Sequence, residues 1–195
     1  VVPKIFYKQN PKDNAKGADS VHIVLDGEGD FTLWLGEAKF YNDIADERLY
    51  EPINSIFDTI STDKIKKENS IITSIKDLEY VITDPIVRKN VQTVLRRDTP
   101  IDEIRKRLHV PILLLHECDK TNSATELTEE YLDEIKNYHL NRAIRFFTSQ
   151  NNRQSKEKIY GYEKIQFHLI LFPVPRKDEI VNWFIERAKQ IIEDA

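Results

Sequence analysis

A glutamate and a lysine, Glu37 and Lys39, stand two residues apart near the end of the run FTLWLGEAKFY. Side chains on a β-strand alternate between faces, so residues i and i+2 share one. A carboxylate and an ammonium therefore meet at the end of an otherwise apolar face. Such a pair can close a sheet end as an ion-pair network. It can also help hold a hard cation and a water for phosphodiester hydrolysis. E-x-K is a common tripeptide, so its surroundings must decide.

Two strand-like runs, 20–26 and 31–41, flank the stretch Asp26-Gly27-Glu28-Gly29-Asp30, which predicts a β-hairpin. Asp19, Asp26 and Asp30 compete to join Glu37 and Lys39. With the turn centred on Glu28, Asp19 faces Glu37, Val21 faces Leu35, Ile23 faces Leu33 and Leu25 faces Phe31. Directly opposed residues lie within about 5.5 Å. Asp26 and Asp30 sit at the turn, about 20 Å from Glu37 at roughly 3.4 Å per residue. Asp19 is therefore the expected partner, and a slip of one residue would send it to the other face.

Two carboxylates are hard oxygen donors for Mg²⁺ or Mn²⁺, and Mg²⁺ usually keeps several waters and binds substrate phosphate. The main-chain carbonyl of Ala38 lies between the two side chains and could complete the metal sphere. Lys39 could orient the attacking water, help deprotonate it, or stabilise charge on the phosphate. These roles stay open.

The elements around the hairpin follow from periodicity and punctuation. KIFYK (4–8) reads as a short strand or lead-in and 10–17 as a loop. Apolar spacing over 43–60 predicts a helix that starts near Pro52 or is kinked there. The charged segment 63–69 reads as exposed. Asp84-Pro85 opens a helix over 85–97 and Thr99-Pro100 another over 101–108. Residues 110–117 suit a strand buried on both faces. Ser123 with Glu126 fits a capping box for a helix over 126–149, followed by a polar loop, 151–158. A strand over 165–172 ends at Pro173 and Pro175, and a helix over 176–193 follows. Strands alternating with helices predict an α/β domain with a mixed sheet flanked by helices.

The length of 195 residues, 40% of them hydrophobic, suits one domain covering 1–195. The chain opens on Val1-Val2-Pro3 without an initiator methionine, and we read it as lacking an N-terminal portion. A net charge of −4 does not by itself argue for nucleic-acid binding. Local patches must carry any DNA contact. The most basic region is 85–107, with Arg88, Lys89 and Lys106, where Arg96, Arg97, Arg105 and Arg107 are candidate phosphate contacts. A solvated helix face is the plainer account of those charges. The single Cys118 excludes an internal disulfide and suits a reducing cytoplasm. No apolar run reaches membrane-spanning length. P-loop, GxSxG and HExxH patterns are absent, so nucleotide-hydrolase, α/β-hydrolase and zinc-protease readings lack support. His22 reads as packing against Trp34, and His116 and Glu117 as structural groups ending a strand.

Asp, hairpin, Glu-x-Lys, then helix resembles the PD-(D/E)xK nuclease superfamily, which has a restriction-endonuclease-like core. More narrowly, residues 17–22 (GADSVH) and 35–41 (LGEAKFY) are similar to the HamA family, nuclease subunits of the bacterial Hachiman anti-phage system. The resemblance implies that Asp19 and Glu37 are metal ligands and Lys39 the catalytic lysine. It also implies a helicase partner (HamB-like) that restrains the nuclease, and DNA as substrate. The initial helix of the superfamily core, which often bears a further acid, has no counterpart here. A catalytically silent partner-binding or nucleic-acid-binding subunit that keeps the fold is the alternative.

Overall fold

The structure, a computed structural model, describes residues 19–26, 29–61, 78, 82–96 and 98–193. The expectations for 4–8, 10–17 and 63–69 lie outside these residues, as does Arg97.

Four strands form one sheet in the order β1 (Ser20–Leu25), β2 (Phe31–Tyr41), β3 (Leu108–Glu117), β4 (Gln166–Val174). β1 and β2 pair antiparallel, while β2–β3 and β3–β4 pair parallel. The sheet is therefore mixed, as the alternation of elements predicts. The hairpin register is also the expected one: Val21 opposes Leu35, Ile23 opposes Leu33 and Leu25 opposes Phe31. At the turn, Asp26 Oδ1 accepts the Asp30 amide at 3.0 Å. Gly29 there has φ +90°, a region that only glycine enters at no steric cost.

One sheet face carries Val21, Ile23, Leu33, Leu35, Val110, Ile112 and Leu114, all buried. They share a core with Leu49, Ile53, Ile56, Phe57 and Ile60 of α1 (Asp46–Ser61) and with Phe146 of α5 (Glu129–Glu157). Arg142 of α5 reaches Asp46 at 2.9 Å, and Arg145 pairs with the same carboxylate. The other sheet face stays half-exposed. There Trp34 stacks on His109 and His168, with ring centres 4.5 and 5.0 Å away, while the two imidazoles share a 2.9 Å hydrogen bond. β3 thus alternates between buried and half-buried residues rather than being buried on both faces. Its continuous apolar run reflects two parallel neighbours.

Several boundaries differ from the sequence reading. α1 begins six residues before Pro52, with Asp46 and Glu47 in its first turn, where acids suit the helix dipole. Asp84 caps α2 (Pro85–Val94) as expected, accepting from Ile86 and Val87, but that helix stops before 97. Thr99 does not cap α3 (Ile101–Arg105); its hydroxyl donates to the Thr93 carbonyl at 2.9 Å. Ser123 closes the short α4 (Asp119–Ser123), and Thr128 caps α5 instead. α5 then runs straight through 151–157. Arg153 makes an ion pair with Glu157 at 2.7 Å and lays its guanidinium over Phe57, so α1 holds the last turns down. Pro173 lies inside β4, which the sheet order leaves at an edge where a missing N–H is tolerated. After it comes α6 (Lys177–Glu193), which buries no residue.

Candidate active site

Asp19 directly precedes β1, and Glu37 and Lys39 lie on β2. Extending the observed pairing by one step past Ser20–Gly36 sets Asp19 opposite Glu37. The contact takes a specific form: Asp19 Oδ2 accepts the backbone N–H of Ala38 at 2.8 Å. The amide of Leu33 donates to the Arg107 carbonyl, on the β3 side of β2. Backbone groups alternate sides along a strand, and one residue's N–H and C=O point the same way. The Ala38 carbonyl therefore points to the side of β2 on which Asp19 lies.

Glu37 is 8% exposed and its strand partner on β3 is Ile112, so its carboxylate rests over an apolar floor. A buried charge there needs a partner. Lys39 supplies one, with Nζ 2.7 Å from Glu37 Oε1. Burial works against the charge on Lys39. The bond to Glu37 and the charges of Glu37, Asp19 and Glu51 outweigh it, holding the ammonium above the ordinary lysine pKa.

Two further residues belong here that the sequence reading assigned no role. Tyr41 shares the face of Glu37 and Lys39, and its hydroxyl donates to Glu51 Oε2 of α1 at 2.8 Å. Burial first, then the bond to Glu51, push the phenol well above its usual range, so it remains a donor. Tyr41 was legible as the next residue of the same alternation. Glu51 was not, because the register of α1 around Pro52 was open.

Among the described residues, no group of three or more His, Cys, Asp and Glu side chains is arranged to hold a metal ion. The available donors are the Asp19 and Glu37 carboxylates and the Ala38 carbonyl. All are hard oxygens, and such a set fits Mg²⁺ or Mn²⁺, with water and phosphate filling the remaining positions.

Among the described residues, the basic candidates are held in different ways. Arg105 is 6% exposed and donates to the carbonyls of Ile60 at 2.7 Å and Tyr160 at 2.9 Å. That corrects its assignment as a phosphate contact: it is an internal strut between α1 and the segment before β4. Arg107 is paired with Asp30 and lies over the Phe31 ring, and Asp30 is held below its usual pKa by that bond. Arg96 is exposed and bonds Asp98 at 3.0 Å. Elsewhere, His22 opposes Trp34 across the hairpin. His116 is buried and bonded to His139 at 2.9 Å. Glu117 accepts the Lys177 amide at the start of α6.

A mixed four-stranded sheet with flanking helices, carrying Asp, Glu and Lys on one hairpin face, is consistent with a restriction-endonuclease-like α/β core. The chain belongs to the HamA family, whose family model matches residues 1–188, and is thus a Hachiman defence-related protein. No curated protein and no solved structure matches it. No helix among the described residues is long and apolar enough to cross a membrane.

Proposed function

We propose that this chain is a metal-dependent DNA endonuclease of the PD-(D/E)xK type, acting in the cytoplasm as an effector of phage defence. One observation supports this above the others. Asp19 is fastened to β2 beside Glu37, and Lys39 follows on the same face. Asp19, Glu37 and the Ala38 carbonyl would hold Mg²⁺ or Mn²⁺, which when bound activates water and offsets charge on the phosphate. The apolar floor under Glu37 limits competing water and strengthens the electrostatics of the site. Lys39, charged at neutral pH, acts as an electrostatic partner of the phosphate or a positioning group for water. A base role would need another group to take its proton first. The family membership favours regulation by a helicase partner (HamB-like), which would restrain the nuclease.

A catalytically silent, partner-binding subunit is the second reading. The mutual pairing of Glu37 and Lys39, which already satisfies both charges, favours it. The two readings separate on plasmid and linear DNA, incubated with Mg²⁺ or Mn²⁺ and the full-length protein, with and without its helicase. Cleavage that disappears in Glu37→Ala and Lys39→Ala supports the nuclease. Cleavage undiminished in both variants overturns this site.

A further inference from the structure

Glu37, Lys39 and Tyr41 succeed one another on the β2 face that looks toward α1. Tyr41 directs its hydroxyl to Glu51 at 2.8 Å, and the Arg48 guanidinium lies over its ring, 5.6 Å from the centre. Glu51 is exposed, so a fully solvated orientation was open to it. Tyr41 instead tethers it toward the β2 face on which Lys39 is the preceding residue. Lys39 thus bonds Glu37 at 2.7 Å on one side, while Glu51 is held by the next residue of the same face on the other.

That bond conflicts with the proposed use of Glu37. A carboxylate serving a divalent cation cannot comfortably keep an ammonium on the same oxygens. Two cations a few ångströms apart over an apolar floor repel strongly. Lysine has a flexible four-carbon stem and can change partners by rotating side-chain bonds. A carboxylate offers about four lone-pair sites, so Glu51 can accept Tyr41 and Lys39 together.

We infer that Glu51, aimed by the Tyr41 hydroxyl, is the carboxylate that receives the Lys39 ammonium when a divalent cation takes Glu37. Glu51 and Tyr41 are then positioning residues: they free Glu37 for the cation and keep Lys39 near the phosphate. The inference rests on the metal-dependent reading of the same site.

Calorimetric titration of Mn²⁺ into the full-length protein without DNA tests it, using wild type, Glu51→Gln, Lys39→Ala and the double variant. In Glu51→Gln the lysine stays on Glu37, and Mn²⁺ affinity falls about tenfold. In Lys39→Ala the competitor is gone, so adding Glu51→Gln changes the affinity by less than about twofold. Tyr41→Phe, which releases Glu51, gives a smaller loss of about threefold. A merely structural Glu51 would show no dependence on Lys39. An equal loss in both backgrounds would make Glu51 a cation ligand and overturn the inference, as would no loss in either. Wild type that binds no Mn²⁺ would overturn the metal-dependent reading itself, and this inference with it.

Discussion

Asp19 accepts the Ala38 amide proton at 2.8 Å, so the first acid of the site is fastened to the strand that carries the second. The bond separates two duties of one side chain. Asp19→Asn keeps an acceptor oxygen and loses the charge, whereas Asp19→Ala loses both. Both variants should weaken Mn²⁺ binding about tenfold or more. Only Asp19→Ala should also lower stability, by about 1 kcal/mol. Calorimetry and urea unfolding read the two effects separately, and equal stability losses would contradict this division.

Arg105 should behave as a structural residue. Arg105→Ala leaves the Ile60 and Tyr160 carbonyls without their guanidinium donor and is expected to cost about 3 kcal/mol. Arg96→Ala, on the exposed pair with Asp98, should stay within about 0.5 kcal/mol. Urea midpoints compare them. A DNA-binding defect in Arg105→Ala at unchanged stability would restore it as a phosphate contact.

Gly36, next to Glu37, is a site of close approach. A Cβ added there meets the Ser20 hydroxyl, while the nearest atom of Pro111 is at an ordinary 3.6 Å. Gly36→Ala should therefore force the Ser20 hydroxyl into another rotamer and destabilise by no more than about 1 kcal/mol. Ser20→Ala should recover most of that loss, because it removes the obstructing oxygen. Thermal unfolding of the two single variants and the double variant gives the result, and purely additive losses would count against this contact.

Acid should weaken the fold through His139. Burial, then the charge of His116, lower its pKa from 6.5 to about 4. Below the unfolded pKa the unfolded chain binds a proton that the folded chain refuses. The contribution is thus complete above pH 6.5 and is lost as pH falls toward about 4. His116, also lowered by burial, adds in the same direction. The stability difference between wild type and His139→Gln should shrink across that interval. A difference independent of pH would remove His139 as the cause.

The sequence carried the hairpin in detail because two independent constraints agree there. The turn residues centre the loop, and the apolar alternation permits one register only, so the Asp19–Glu37 juxtaposition follows from arithmetic along two strands. Helix ends were less accessible. The run 151–157 is polar and reads as a loop, yet α1 keeps it helical through contacts such as Arg153 over Phe57, which no local pattern reveals. Glu51 was hidden for a similar reason. Its direction depends on where α1 starts, and that is settled by the first-turn acids and by packing rather than by Pro52. Arg105 looked like surface charge because burial of a guanidinium depends on carbonyls far along the chain.

All the proposed ligands and the lysine come from one hairpin, between Asp19 and Lys39, so their meeting needs only local chain closure. Hairpins close in about 1–10 μs, whereas pairing between distant strands is slower. Trp34 lies on the same hairpin but finds its stacking partners, His109 and His168, on β3 and β4. The order of folding is therefore written into one strand: its acidic end can be arranged before its indole is covered. Trp183 is the only other tryptophan, so in Trp183→Phe the fluorescence of Trp34 should report completion of the sheet separately from closure of the hairpin that brings the acids into register.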